Sequence, residues 1–284
     1  MENDSKLEFV AAVLSAPGHS ARRMLIRNTW GQRLLQKQAN FRVVFFLGVT
    51  KDAGLNSSTM QESRTFGDIV IADFFDSYRN LSLKTVSLLR WVSSRCNGSA
   101  WFVLKTDDDI VPNVIGIAEF LKKARANNVS TEPSPKLLCG IMKKQAPKRN
   151  FYSKWYIASH EYNRKSYPPY CSGAGYMFTI DTAHLLYLGT LVTRRFWVED
   201  TYVTGLVPEY LTQYFGREVI SYYDISYLYD EGVGGALYKF LEDELLFLTH
   251  FFHDVKNSLS VTINGGQTLE PLLNLWAKYL KTHL

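Results

Sequence analysis

Residues 8–14, EFVAAVL, are apolar almost without interruption, and so are FRVVFFLGV at 41–49 and AWFVLKT at 100–106. Short apolar runs bounded by turn residues mark strands covered on both faces, as in a parallel sheet. A further strand is expected at 68–74, DIVIADF. Between these runs the period changes. After the loop SAPGHS, ARRMLIRNTWGQRLLQKQ (21–38) carries apolar residues at helical spacing, and a helix is expected near 59–66 beyond the polar KDAGLNSS. NLSLKTVSLLRWVSSRC (80–96) sets Leu81, Thr85, Leu88 and Val92 near one helix face. Strand alternating with helix predicts an α/β fold whose mixed, mainly parallel sheet is flanked by helices. The second half is less regular. NNVSTEPSPK (127–136) reads as a loop, YPPY and CSGAGY as tight backbone, and the terminal LEPLLNLWAKYLKTHL as an amphipathic helix.

One strand ends in an arrangement that needs a reason. FVLKTDDDIVPN (102–113) runs from apolar residues into Asp107, Asp108 and Asp109, whose carboxylates repel one another. In open α/β sheets ligands bind at the carboxyl ends of the strands, so the triplet is expected in a cleft. Clustered carboxylates are relieved by a hard divalent cation, Mn2+ or Mg2+, of the kind that also engages phosphate oxygens. Two chemistries fit. In one, an Asp-x-Asp holds such a cation against a nucleotide-sugar diphosphate. In the other, Asp107, Asp109 and Val111 form the Asp-x-Asp-x-Val of an aspartyl-phosphate hydrolase with Asp107 as nucleophile.

Composition narrows the class. The 284 residues are 46% hydrophobic and 14% aromatic, ample for a core, and no stretch approaches the roughly 20 apolar residues of a membrane helix. The net charge is +5, but the basic residues are dispersed in short pairs, which argues against a nucleic-acid partner and suits a phosphate-bearing substrate. Asn56, Asn80, Asn97 and Asn128 head glycosylation sequons, which lean toward the secretory route. The spacing of Cys96, Cys139 and Cys171 does not say which pair would bridge.

RRMLIRNTWG (22–31), DSYRNLSLKT (76–85), the aspartate strand, KWYIASHEYNRKSYPPYCSGAGYMFT (154–179) and WVEDTYVTGL (197–206) occur in this order. Together they closely resemble the β-1,3-galactosyltransferase family, which includes related β-1,3-N-acetylglucosaminyltransferases, over residues from about 8 to 250. The resemblance implies a GT-A fold, in which a Rossmann-like nucleotide-binding lobe is fused to an acceptor-binding lobe. It further implies a single catalytic domain, with the nucleotide-sugar half to about residue 113 and the acceptor half from there to 284. The expected activity is inverting, metal-dependent transfer of a hexose, galactose foremost, from a UDP-sugar to the 3-hydroxyl of a glycan on a glycoprotein or glycolipid. UDP-N-acetylglucosamine is the alternative donor, and a phosphohydrolase or a non-catalytic sugar-binding relative is the alternative class. Location in the Golgi lumen follows by the same resemblance, with any membrane anchor lying outside this chain.

Roles are assigned accordingly. Arg22, Arg23 and Arg27 lie at a helix start, where N–H groups and guanidinium forks suit a diphosphate. Asp76, Asn80, Lys84, Lys105, Asp107 and Asp108 join them as nucleotide-sugar residues, although Asp76 is also a plausible helix cap or brace and Asp108 a structural residue. Gly173 and Gly175 would let backbone approach the sugar. Asp107, Asp109 and His250, with His253 as the alternative histidine, would hold the metal. Asp200 is the expected catalytic base, with Glu199 beside it as the alternative base, a cap partner or an acceptor contact. Trp155, Tyr156 and Tyr170 would stack on the acceptor. The family pattern pairs Cys96 with Cys171 and leaves Cys139 free, a bridge that would favour an oxidising compartment. Thr201 stands where the family has valine, and the stretch NSLSVTINGGQ beyond 250 has no counterpart in the pattern.

Overall fold

The computed structural model describes residues 6–126 and 136–226, and the backbone of 229–230 and 247–248. His250, His253 and the terminal helix expected at 269–284 lie outside the described residues, as does most of the loop expected at 127–136.

Twelve strands and eight α-helices are described. In chain order they are β1 Leu7–Leu14, α1 Ser20–Asn28, α2 Arg33–Gln38, β2 Phe41–Val49, α3 Ala53–Phe66, β3 Ile69–Phe75, α4 Leu81–Arg95, β4 Ala100–Asp107, β5 Val111–Pro112 and α5 Val114–Ala126. Then come β6 Lys136–Cys139, β7 Ile141–Met142, β8 Tyr170–Cys171, β9 Gly175–Thr179, α6 Ile180–Val192, α7 Glu199–Thr201, α8 Val207–Phe215, β10 Ser221–Asp224, β11 Tyr229–Asp230 and β12 Phe247–Leu248. A seven-stranded sheet runs β10-β6-β9-β4-β1-β2-β3 and draws strands from both halves of the chain. Every neighbouring pair is parallel except those of β9, which lies antiparallel between β4 and β6.

The continuous apolar runs have the predicted cause, a sheet covered on both faces. Phe9, Ala11 and Val13 of β1 face a core shared with α1 and α5, whereas Val10, Ala12 and Leu14 face one shared with α4 and α6. Two boundaries differ from expectation. The helix expected over 21–38 breaks after Asn28, where Thr29 and Gly31 turn their N–H groups onto the Ile26 carbonyl and Trp30 is buried. Helix α3 begins before residue 59 because Asp52 caps it by accepting from the Leu55 N–H at 3.0 Å.

A close helix crossing supports the acidic motif at 199–200. A Cβ added at Gly189 of α6 would lie 2.5 Å from Val207 Cγ1 of α8. Gly189→Ala is therefore expected to force the helices apart and cost about 1–3 kcal/mol, read as a lower urea midpoint with an unchanged slope.

The disulfide departs from the expected pairing. Cys139 and Cys171 are bridged, with Cα atoms 5.5 Å apart, and Cys96 is free and buried. Cys139 ends β6 and Cys171 lies in β8, which pairs with β7 immediately beyond that end, so the two are brought side by side. Cys96 instead closes α4 within the core, and burial pushes its thiol up to about 11.

Candidate active site

Strands β1 and β4 end together, with Leu14 paired to Asp107. The three aspartates then diverge. Asp108 is buried and accepts from Ser15 Oγ at 2.7 Å and Arg22 Nη1 at 2.8 Å, with His19 Nδ1 at 2.7 Å. Burial opposes its charge, but those contacts prevail and hold its carboxyl below the usual range. Asp109 is partly exposed, 3.8 Å from Arg22 Nη1. Asp107 instead turns to a cavity of about 460 Å3, which it lines with Lys105, Gly173, Glu199 and Asp200.

Lys105 is buried among these acids. It lies 3.1 Å from Asp107 and 3.3 Å from Glu199, and donates to the Gly173 carbonyl at 2.9 Å. Burial disfavours its charge, yet the carboxylates around it raise its pKa. Asp107 Oδ1 is buried and meets the Lys105 ammonium. Burial, opposed by Lys105 and reinforced by Asp109 and Glu199, pushes Asp107 up to about 6. One lysine does not neutralise this group of acids.

Asp200 sits in the short helix α7, just before a π-helical turn at Tyr202–Leu206, an irregularity frequent at functional sites. Its Oδ1 accepts from the Thr201 N–H at 2.6 Å, a backbone contact that the departure from valine leaves intact. Its Oδ2 makes no hydrogen bond among the described residues. A Cβ added at Gly173 would lie 3.0 Å from that oxygen, so the glycine lets the carboxylate rest against the backbone. Burial and then Glu199 push Asp200 up to about 6, against the Thr201 N–H and Lys105. Gly173→Ala is expected to displace the carboxylate and, with Asp200 as the expected base, to lower turnover on the order of tenfold to a hundredfold, read by steady-state kinetics.

The other expected site residues divide. Trp155 and Tyr170 line the same cavity, and Trp155 donates from Nε1 to Tyr78 Oη at 2.8 Å. Tyr156 does not line it and packs on Phe151. Glu199 does line it, but its Oε1 accepts from Thr85 and Tyr176, both at 2.8 Å, while Oε2 faces Lys105, so it organises the site from below. Arg23 and Arg27 do not reach the aspartates. Arg23 is fully buried and bonds Glu62 through Nε at 2.9 Å and Nη2 at 2.6 Å, and Arg27 forks onto Asp68 at 2.8 Å and also reaches Glu62. Asp76 and Lys84 form a buried pair at 2.9 Å that ties β2 and α4 to the end of β1, Asp76 accepting from the Gly48 N–H and Lys84 donating to the Ser15 carbonyl. Asn80 donates to the Phe75 carbonyl at 2.8 Å outside the cavity wall, and Gly175 is a sheet residue opposite Thr106. Sequence reasoning left Tyr78 and Trp197 unassigned although both lie in quoted motifs and both line the cavity.

The donor set suits a divalent cation. Asp107 Oδ1 faces the Lys105 ammonium at 3.1 Å, Asp109 is partly exposed, and both side chains offer hard oxygen ligands. Among the described residues no group of three or more His, Cys, Asp and Glu side chains is disposed as a complete metal site.

The seven-stranded sheet with acids gathered at its strand ends defines an α/β protein with a cleft at the carboxyl ends of its strands. The family model described as Galactosyltransferase matches residues 21–212, and the chain belongs to that family. It is 41% identical over 181 residues to mouse and human beta-1,3-galactosyltransferase 1, covering 64% of this chain and 54% of those proteins. To human beta-1,3-galactosyltransferase 5 it is 38% identical over 205 residues, covering 72% of this chain and 63% of that protein. The chain thus spans little more than half the length of the first of these relatives. Among solved structures, the mannosyltransferase PcManGT from Pyrobaculum calidifontis, in complex with GDP-Man and Mn2+, aligns over 98% of this chain and 70% of its own at 12% identity. Its TM-score is 0.42, too slight a likeness to bear on the function.

Proposed function

We propose that the chain is a metal-dependent, inverting β-1,3-glycosyltransferase that moves galactose from UDP-galactose to the 3-hydroxyl of a glycan acceptor. The observation that carries this reading is the placement of Asp200 and Asp107, remote in sequence, in the wall of one cavity within a chain of the galactosyltransferase family. Transfer with inversion needs a base on the acceptor side of the sugar and charge stabilisation on the diphosphate side.

Asp200 supplies the base, taking the acceptor proton on Oδ2 while the Thr201 N–H holds Oδ1. Trp155 and Tyr170 offer aromatic faces for the acceptor sugar. Arg22, fixed by Asp108, places a cation beside Asp109 at the diphosphate end. Held by Asp107 and Asp109, a divalent cation, Mn2+ or Mg2+, would neutralise the departing diphosphate as a Lewis acid. Lys105 pairs with both Asp107 and Glu199 and fixes the Gly173 carbonyl beside them. The Cys139–Cys171 bridge and the sequons support work in an oxidising secretory compartment, the Golgi lumen.

Incubation with UDP-galactose or UDP-N-acetylglucosamine, Mn2+ and a panel of glycan acceptors, followed by linkage analysis, tests the proposal. A β-1,3-linked galactosyl product supports it. Exclusive transfer of N-acetylglucosamine would move the chain to the related branch, and release of inorganic phosphate from phosphate esters without sugar transfer would defeat it.

A further inference from the structure

A second cleft of about 700 Å3 adjoins the catalytic cavity, and Trp197 lines both. Arg79, Arg164, Arg194 and Arg195 line this cleft, against the acids Glu161 and Glu209. Two of the four cations are already matched. Arg164 forks onto Glu209 at 2.6 and 2.8 Å, and Arg79 lies over the Trp197 ring at 4.6 Å with Glu161 at 3.7 Å.

Arg194 and Arg195 are exposed and have no carboxylate partner among the described residues. Arg195 reaches only the Asn80 amide oxygen, at 3.5 Å. The cleft also has an aromatic wall. Tyr210 lines it, partly exposed, with its ring nearly parallel to that of Tyr214. Two unmatched guanidinium forks beside an exposed tyrosine suit a sugar that carries an anion, because arginine grips carboxylate and sulfate bidentately and an aromatic face packs against a pyranose ring.

The chain path links this cleft to the chemistry. Arg194 and Arg195 stand in the segment that leads from α6 to α7, only six and five residues before Asp200. Trp197, which lines both cavities, is the residue past which an acceptor held at Asp200 would extend its next sugar.

We propose that this cleft is an acceptor subsite for an acidic sugar, a uronate or sulfated residue adjoining the one that accepts the transfer, held by Arg194 and Arg195 with Tyr210 as its platform. The proposal rests on the transferase reading above and specifies its acceptor class. Oligosaccharides with a carboxylate or sulfate at that position bind more tightly than neutral counterparts, and the preference fades as salt screens the exposed guanidinium groups.

The test is direct binding, so that it does not depend on turnover. A galactose-terminated disaccharide and the same disaccharide with its other sugar oxidised to the uronic acid are titrated into the full chain and into an R194Q/R195Q double variant. Saturation-transfer NMR gives both affinities, and thermal melting verifies the variant's fold. UDP with Mn2+ is titrated separately to report the donor site. The expected result is a preference of about tenfold or more for the uronate in the unaltered chain, since hydrogen bonds to charged groups are worth about that much, and its loss in the double variant. Tyr210→Ala, which leaves both arginines, should weaken the two disaccharides together and keep the preference. Equal affinities in the unaltered chain, or a preference that survives in R194Q/R195Q, would overturn the subsite even if UDP binds. Absence of UDP binding would instead defeat the transferase reading beneath it.

Discussion

On the proposed mechanism, Asp200→Asn is expected to lower sugar transfer by about 10²–10⁴-fold, the usual contribution of a general base, and to leave UDP binding in place. Asparagine keeps the size of the side chain and can preserve the contact from the Thr201 N–H, but it cannot take a proton. In the same proposal this residue sets the pH dependence. Burial and the neighbouring Glu199 raise Asp200 to about 6, so the base is ionised above that value and protonated below it. kcat/KM should therefore fall as pH drops through about 6, with a limb that is absent from the residual activity of the variant. A pH profile of both proteins checks the expectation, and a limb that persists in the variant would assign it to another group.

Glu62→Ala destabilises the fold by about 3–5 kcal/mol, the cost typical of leaving a buried charge without its partner. Arg23 is fully buried, and two of its guanidinium nitrogens bond Glu62, which Arg27 also reaches. Without Glu62, Arg23 keeps only Ser15 Oγ and the carbonyls of Ala16 and Pro17. Those residues form the loop after β1, beside Asp108 and the active site. The two arginines hold the Glu62 carboxyl below its ordinary value of 4.5 against the opposing effect of burial. The ion-pair stabilisation is thus complete above 4.5 and disappears as pH falls through the lower folded value. Urea melts at neutral pH should show the full difference between the two proteins, and melts below pH 4.5 a smaller one. A neutral-pH difference within about 0.5 kcal/mol, typical of a surface substitution, would show that Arg23 is not held this way.

Those arginines show how far the sequence can be read. A helix bearing Arg22, Arg23 and Arg27 at the carboxyl end of a strand suggests phosphate binding, but positions 23 and 27 are one helical turn apart and share a face that 22 does not. That face meets Glu62 and Asp68, acids more than thirty residues away whose approach depends on how α3 packs. Only Arg22 turns to the aspartates. The Asp76–Lys84 pair was hidden in the same way, because its burial follows from the convergence of β1, β2 and α4.

The strands, by contrast, were legible because a sheet covered on both faces writes continuous apolar runs into the chain, and the aspartate cluster was legible because its repulsion demands a reason. The disulfide was not, since three cysteines permit three pairings and the choice depends on β7 meeting β8. Glu199 and Asp200 are neighbours in sequence, yet one is satisfied by Thr85 and Tyr176 while the other keeps a free oxygen beside Gly173, a difference made by distant elements.

Calorimetric titration of the purified chain with UDP, with and without Mn2+, alongside the Asp109→Ala variant, tests the central claim most directly. The account predicts binding that needs both the cation and Asp109. A well-folded chain that binds no UDP, or binds it equally well without Mn2+ and without Asp109, would contradict it.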